Sequence, residues 1–266
     1  MKKFKIIGVL LLISLFFIFT LAFAQTKPAD VKPKPKPAPA EVKPKPKPEK
    51  PQKLTIAQGT DALTMDTHHG LDAPTFTILD HMVEPLLELT PKGEIVPKLV
   101  EKWEVSADAT EFTLKLKKGI KFHDGQPFNA EAVKVNFDRR LDPKAATKYG
   151  FLVAPISSVT VLDEYTVQIK TKAPFAAMLS NLTHQANGMQ SPASLRKSWD
   201  KPVTMPIGTG PFIFKEWVPG NKVVMVRNDN YWGIKPSVHE VTWQAIPDDA
   251  SRVVALETGE VHAAVR

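Results

Sequence analysis

The order of apolar and polar side chains predicts several short β-strands in the chain after residue 53. Residues 54–57 form a short apolar run of the kind that makes a buried strand. Residues 111–117 alternate strictly between apolar and polar side chains, which is typical of a strand with one face on a core and the other in solvent. Two pairs of later runs flank turn residues and predict hairpins. These later strands cover residues 159–162 with 165–169, residues 212–214 with 223–226, and residues 238–246.

Three segments carry apolar side chains at helical spacing. The first follows Asp72, which is a predicted N-cap, and Pro85 must either kink it or lie where the lost hydrogen bond is tolerated. The second begins after Asn129 and ends at Asp142, and the third covers residues 247–259. Short helices mixed with antiparallel hairpins predict a mixed fold of the α/β or α+β class. The apolar face of the first helix comprises Phe76, Leu79, Val83, Leu86 and Leu87.

The N-terminus has the pattern of an export signal. Three lysines precede an apolar run over residues 6–24, which closes with Ala22-Phe23-Ala24. We therefore expect residues 1–24 to be a signal peptide that is cleaved before Gln25. The alternative is an uncleaved inner-membrane anchor, because the run would span about 28 Å as a helix. Both interpretations place the rest of the chain outside the cytoplasm, in the periplasm.

Lys-Pro repeats dominate residues 25–53. Proline removes backbone donors and the lysines repel one another, so neither a helix nor a sheet is expected there. The segment is predicted to be a disordered linker between the signal and a folded unit that starts at residue 54. The alternative is an electrostatic tether to anionic cell-wall polymer or lipid headgroups.

Charge and composition exclude several classes of protein. The formal net charge of the chain is +7, but the first 53 residues carry +9, which leaves −2 for residues 54–266. A nucleic-acid partner is therefore not expected. The chain of 266 residues has no cysteine, so it has neither disulfides nor thiolate metal ligands.

No catalytic motif stands out in the sequence. Gly208-Thr209-Gly210 begins like a dinucleotide fingerprint, but Ile213 occupies the place of the third glycine. His68 and His69 are adjacent and are expected in a surface loop, where they would chelate one metal poorly. His123-Asp124-Gly125 has no nucleophile nearby and is expected to form a turn. We therefore expect no enzyme activity, no cofactor and no metal.

Four ordered blocks carry a family resemblance. They are IVPKLVEKWEVS at residues 95–106, FTLKLKKGIKFHDGQPFNAEAV at residues 112–133, PIGTGPF at residues 206–212 and RNDNYWG at residues 227–233. Together they closely resemble the signature of the family 5 extracellular solute-binding proteins, the peptide, nickel, glutathione and opine receptors of ABC importers. The signature positions are Trp103, Phe112, Gly119, Phe122, Asp124, Gly125 and Phe128.

The resemblance implies a fold and a transport role. Residues 54–266 would form the first lobe, with its subdomain, of a type II periplasmic-binding-protein fold. The protein would be a monomer that captures a peptide or a similar small solute and delivers it to an ABC permease in the inner membrane. An alternative is a wall-associated adhesin or structural protein that reuses the lobe on a Lys-Pro stalk.

The resemblance also implies a site and a departure from the family pattern. Because strand-end loops face the cleft in such folds, ligand contacts are expected in the loop after the first strand and near residue 184. Family members are two-lobed and longer, so we expect an N-terminal fragment that lacks the second lobe. Weak ligand affinity, exposed apolar surface and an open sheet edge near residues 261–265 would follow. The expected ligand contacts are Thr60, Asp61, Leu63, His68, His184 and Gln185.

Overall fold

A computed structural model of the protein describes residues 52–265. The expected signal peptide and nearly all of the expected linker lie outside the described residues, as does Arg266. The described strands are β1 (Lys53–Gln58), β2 (Leu87–Leu89), β3 (Ile95–Pro97), β4 (Val100–Val105), β5 (Glu111–Leu116), β6 (Ile156–Asp163), β7 (Thr166–Thr171), β8 (Phe212–Val218), β9 (Lys222–Arg227), β10 (Glu240–Ala245) and β11 (Ala263–Val265). The α-helices are α1 (Ala73–Leu79), α2 (Ala130–Leu141), α3 (Met178–Asn181), α4 (Pro192–Lys197) and α5 (Asp249–Glu257).

One sheet joins the beginning of the described chain to its end. Its strand order is β11-β1-β10-β9-β8, and β1 runs parallel to both β10 and β11. The hairpin of β8 and β9 is antiparallel, as its sequence predicts. Side chains from this sheet pack with α1 into one core, which includes Met65, Ile78, Met82, Met225 and Trp243.

A second sheet is formed entirely by one contiguous stretch of chain. Its order is β4-β5-β7-β6, all antiparallel, and α2 packs on it. The predicted alternation in β5 is confirmed, because Phe112, Leu114 and Leu116 are all buried. The mixed α/β class is likewise confirmed.

The signature residues lie in and around the core between the second sheet and α2, which we call the second unit. The rings of Phe122 and Phe128 meet edge to face with centroids 6.0 Å apart. Gly119 and Gly125 have φ angles of 78° and 83°, in the left-handed region that favours glycine. Gly125 closes the predicted turn by donating its N–H to the carbonyl of Phe122. Trp103 is partly buried against the same core. The signature therefore specifies packing and turn geometry in this unit.

Local capping chemistry explains where three helices begin. The side chains of Asp72, Asn129 and Asp248 accept hydrogen bonds from backbone N–H groups in the first turns of α1, α2 and α5. All three helix starts agree with the sequence analysis. The end of α5 also agrees, since Gly259 follows it with a φ of 77°.

The predicted extent of the first helix is wrong. α1 ends at Leu79, well before Pro85, and β2 begins at Leu87. Residues 81–84 instead run alongside residues 207–212, where Gly210 donates its N–H to the carbonyl of Met82 at 3.0 Å. Gly208 and Gly210 permit this approach, because a Cβ at residue 208 would lie 2.1 Å from the Met82 carbonyl oxygen. These glycines serve backbone packing between segments distant in sequence.

Among residues 52–265, no helix is both long and apolar enough to cross a membrane.

Candidate functional site

Four rings gather where α1 meets two later segments of the described chain. Tyr149 lies 5.9 Å from Phe76, 5.1 Å from His184 and 5.7 Å from Phe151, measured between ring centroids. Phe76 also meets His184 edge to face at 5.7 Å. We call Phe76, Tyr149, Phe151 and His184 the aromatic cluster. Phe151 is 66% exposed, so the cluster offers an apolar surface to solvent at its outer side.

An unusual backbone conformation places Tyr149 in the cluster. Its φ of 51° and ψ of 38° are left-handed, which is uncommon for an aromatic residue. The guanidinium of Arg140, on α2, donates to the carbonyl oxygens of Lys148 at 2.7 Å and of Tyr149 at 3.1 Å. The Tyr149 hydroxyl donates to the carbonyl of Leu71 at 3.1 Å. The ring is thereby held between the loop before α1 and the loop after α2.

An acidic cleft adjoins the cluster. It has a volume of about 540 Å³, and its lining includes Phe76 and His184 from the cluster with Asp80, Glu84 and Glu88. The walls of the cleft strip water from the carboxyl group of Asp80 and raise its pKa to about 7, and the charge of a lysine in the same cleft opposes that rise. The remaining lining residues are Pro85, Leu89, Lys98, Thr183 and Gln185.

Glu84 anchors the floor of the acidic cleft. It is only 2% exposed, and its carboxylate accepts hydrogen bonds from the Thr209 hydroxyl at 2.7 Å, the Tyr231 hydroxyl at 2.7 Å and the Trp232 indole at 2.9 Å. Burial and the Glu84 charge raise the pKa of Tyr231. This carboxylate ties the floor to the loop after β9 and is not free for a ligand.

An apolar cleft lies on the other side of Leu71. It has a volume of about 360 Å³ and is lined by Leu63, Leu71, Val203 and Trp217, with Lys148 as one of its few charged side chains. Leu63 is 71% exposed at its edge. Because Leu71 accepts the Tyr149 hydroxyl, the apolar cleft and the aromatic cluster share a wall. Together the clefts and the cluster can hold an extended molecule with apolar and charged parts.

A buried ion pair holds the loop after β1 in place behind this site. Arg139 donates to Asp66 at 2.8 Å, and neither side chain has any exposed surface. Asp66 also accepts from the backbone N–H of Val203 and from the side chains of His69 and Gln190. Although burial opposes it, these hydrogen bonds and the nearby positive charges hold the pKa of Asp66 well below its usual range.

His68 belongs to the same buried network, so its expected place in a surface loop is wrong. It has no exposed surface; its Nε2 donates to the carbonyl of Gly188 at 3.1 Å and its Nδ1 accepts from Arg139 at 3.1 Å. Burial lowers the pKa of His68 to about 3, against the opposing charge of Asp66. The ring is therefore neutral and supports the loop. The adjacent His69 uses its ring nitrogens toward Asp66 and Ala145, and the described residues contain no cluster suited to a metal ion.

The predicted ligand contacts fall into two groups. His184 and Gln185 line the acidic cleft and Leu63 lines the apolar cleft, and His184 also belongs to the aromatic cluster. The carboxylate of Asp61 accepts hydrogen bonds from the Trp217 indole at 2.9 Å and from the Gly220 N–H at 2.8 Å. Thr60 lies exposed beside Asp61 and lines neither cleft, and His68 lies behind the site.

Sequence reasoning missed the residues that join the two clefts. Phe76 was expected on the core-facing side of the first helix, Phe151 was expected to pack in the core as phenylalanines usually do, and Tyr149 was not singled out. Their place at the site depends on Arg140 and on the left-handed backbone of Tyr149. The one available signal was Gly150 between two aromatic residues, which indicates a loop but not its direction.

Comparison with known proteins gives one family. The model of the bacterial extracellular solute-binding proteins, family 5, matches residues 94–266. The chain is 34% identical over 207 residues to the glutathione-binding protein GsiB of Pectobacterium atrosepticum, which covers 77% of this chain and 40% of that protein. It is also 34% identical over 209 residues to GsiB of Escherichia coli K12, covering 78% and 41%.

Solved structures of similar proteins share the fold. The periplasmic binding protein AgaA of A. tumefaciens R10, in complex with agropinic acid, matches at 32% identity and a TM-score of 0.74, over 79% of this chain and 43% of that one. NikA of Brucella suis, in complex with Fe(III)-EDTA, matches at 33% identity and a TM-score of 0.72, over 79% and 42%. DppA of Helicobacter pylori, in complex with the peptide STSA, matches at 28% identity and 0.72, over 79% and 45%. The chain thus spans less than half the length of each.

Proposed function

The chain belongs to the bacterial extracellular solute-binding proteins, family 5, and from this premise we propose that it captures a small solute and passes it to an ABC permease. The solute we propose is an oligopeptide or a molecule of similar chemistry. One relative is named for binding glutathione, and two similar solved structures hold a peptide and agropinic acid; all three ligands combine carboxylates with apolar or amide groups. The proposed role is that of a receptor and not of an enzyme.

The observation that carries this proposal is the aromatic cluster with a cleft on each side. His184 and Gln185 border one cleft and Leu63 the other, and we propose these three as direct ligand contacts together with Phe76, Tyr149 and Phe151. We assign Asp61 and His68 to holding the loop that carries Leu63. Both clefts are open to solvent, so the described residues enclose a ligand on one side only and affinity should be weak.

Calorimetric or NMR titration of the purified chain tests the proposal. The probes are glutathione, agropinic acid and the tetrapeptide Ser-Thr-Ser-Ala, each up to millimolar concentration. We expect saturable binding of at least one probe. Phe151→Ser should weaken it by about two- to tenfold, because an aromatic contact is worth about 0.5–1.5 kcal/mol.

A matched variant controls for the loss of exposed apolar surface. Ile234 is 95% exposed and lies outside both clefts, so Ile234→Ser should leave affinity unchanged. Equal weakening in both variants would show that the aromatic cluster is not the site. Absence of binding for every probe would count against the receptor role of this chain.

We propose that the chain acts in the periplasm as a monomer after cleavage at Ala24. The basic, apolar and A-x-A order of residues 1–24 supports export. N-terminal sequencing of exported protein should start at Gln25, and a start at Met1 would make the segment an anchor. A monomer is expected in sedimentation at micromolar concentration.

The Lys-Pro segment supports a second candidate, a wall-associated adhesin or structural protein. Nine lysines against three acidic residues give residues 25–53 a net charge of +6. A free receptor should leave the cell with osmotic shock in low salt. A protein tethered through these lysines should be released only at high ionic strength.

A further inference from the structure

Arg140 carries a buried charge behind the aromatic cluster. It is 4% exposed, and its two hydrogen bonds go to neutral backbone carbonyls of Lys148 and Tyr149. No described carboxylate lies within ion-pair distance of it, and its Nε has no hydrogen-bond partner among residues 52–265. Its neighbour Arg139, in contrast, is fully paired with Asp66. Because guanidinium stays protonated in proteins, the cluster lies against a positive charge that has no ion-pair partner among the described residues, the nearest acidic influence being Asp66.

His184 is prepared as a hydrogen-bond donor next to that charge. Its Nδ1 accepts the backbone N–H of Ala186 at 3.0 Å, so the neutral ring carries its proton on Nε2. Among the described residues nothing accepts a hydrogen bond from this Nε2. Burial, and secondarily the charge of Arg140, lower the pKa of His184, which favours the same neutral form.

The other charged groups of the acidic cleft oppose an anion at its far end. Asp80 lies one helical turn beyond Phe76, Glu88 is exposed at the rim, and both share the cleft with Lys98. Glu84 is occupied by its own donors. The carboxyl groups of the cleft thus lie around Asp80, Glu88 and Lys98, whereas the charge of Arg140 lies behind Tyr149, next to His184.

From this geometry we propose that Arg140 makes the Tyr149–His184 end of the cleft selective for an anionic acceptor on the ligand, a carboxylate, which receives the Nε2–H of His184. Arg140 acts here as a positioning and specificity-determining residue that need not touch the ligand. It holds the backbone of Tyr149 and supplies the charge. The inference rests on the proposed function, because it states which end of the ligand the receptor would recognise.

The test compares the tetrapeptide Ser-Thr-Ser-Ala with its C-terminal amide, titrated into the full chain. We expect the free acid to bind about tenfold more tightly than the amide, which corresponds to about 1.4 kcal/mol. Arg140→Met should reduce this ratio to about twofold, and Arg140→Lys, which keeps the charge, should retain most of it. His184→Phe changes a half-exposed side chain and should also reduce the ratio, so the test does not depend on the folding of the Arg140 variants.

A ligand-free measurement separates the electrostatic role from a structural one. In an NMR titration, the pKa of His184 should rise in Arg140→Met and stay lowered in Arg140→Lys. Equal binding of acid and amide by the unaltered chain would overturn this inference while leaving the receptor role intact. An unchanged ratio in His184→Phe would overturn it as well. If neither peptide binds while glutathione or agropinic acid does, this inference is overturned and the receptor role stands, and if no probe binds, both fail.

Discussion

Replacing Gly208 with alanine should destabilise the fold more than a single methyl group normally does. The added Cβ would lie 2.1 Å from the Met82 carbonyl oxygen and 2.7 Å from the Cα of Val83, and both distances are well inside the 3.4 Å at which ordinary contact begins. Both obstacles are backbone atoms, so no side-chain rotation relieves the clash. Residues 81–84 and 207–210 must separate, which strains two hydrogen bonds in this region.

The expected loss is about 3–5 kcal/mol, from about 1–3 for overpacking and about 1 for each weakened hydrogen bond. Urea unfolding followed by circular dichroism measures it, and with a slope of about 2 kcal/mol/M the midpoint should fall by about 2 M. Gly150→Ala is the matched control: nothing lies within 4 Å of its Cβ position, so it should be neutral or stabilising by up to about 1 kcal/mol. A Gly208→Ala midpoint within about 0.3 M of the unaltered chain would refute the packing argument.

Three further outcomes are expected. Asp66→Asn should cost about 3–5 kcal/mol in urea unfolding, because it leaves a buried guanidinium unpaired, whereas Asp138→Asn on the surface of α2 should cost under about 0.5 kcal/mol; similar values would contradict the network. Glu84→Gln should cost about 2–4 kcal/mol by mispairing three donors, and Glu88→Gln at the cleft rim should change little. Burial lowers the pKa of His68 to about 3, against about 6.5 in the unfolded chain. Below pH 6.5 the unfolded state therefore binds one more proton, and the free energy of unfolding falls by up to about 1.4 kcal/mol per pH unit. A urea midpoint that does not change between pH 7 and pH 4.5 would exclude this.

The strands and helix caps were predictable because local chemistry determines them. The alternation in β5 follows from one buried face, and an Asn or Asp before an apolar repeat has few other uses than capping. The end of α1 was not predictable, since the backbone of Met82 and Val83 packs against Gly208, which lies more than 100 residues further along the chain. Helical spacing continued past Leu79 although the structure did not.

The site divides in the same way. His184, Gln185 and Leu63 were predicted as ligand contacts from loop position and family resemblance, and all three line the clefts that we propose as the site. The burial of His68 depends on Arg139, which lies 71 residues further along the chain, and the spacing of apolar residues cannot predict a partner at that distance. Tyr149 was missed because its left-handed backbone is held by Arg140, a contact that only the folded chain contains.

The placement of β1 has a consequence for the order in which the chain folds. β4 to β7 and α2 come from one contiguous stretch and can form as soon as that stretch is available. β1 lies between β10 and β11, and Gln52 contacts His239 across 187 residues. Contacts between residues so far apart in sequence form late, because the entropy of closing a long loop is lost before the contacts contribute any stabilising free energy. During synthesis from the N-terminus, β1 would therefore stay unpaired until nearly the last described residues are available, and its apolar face is the part of the nascent chain that a chaperone would need to cover.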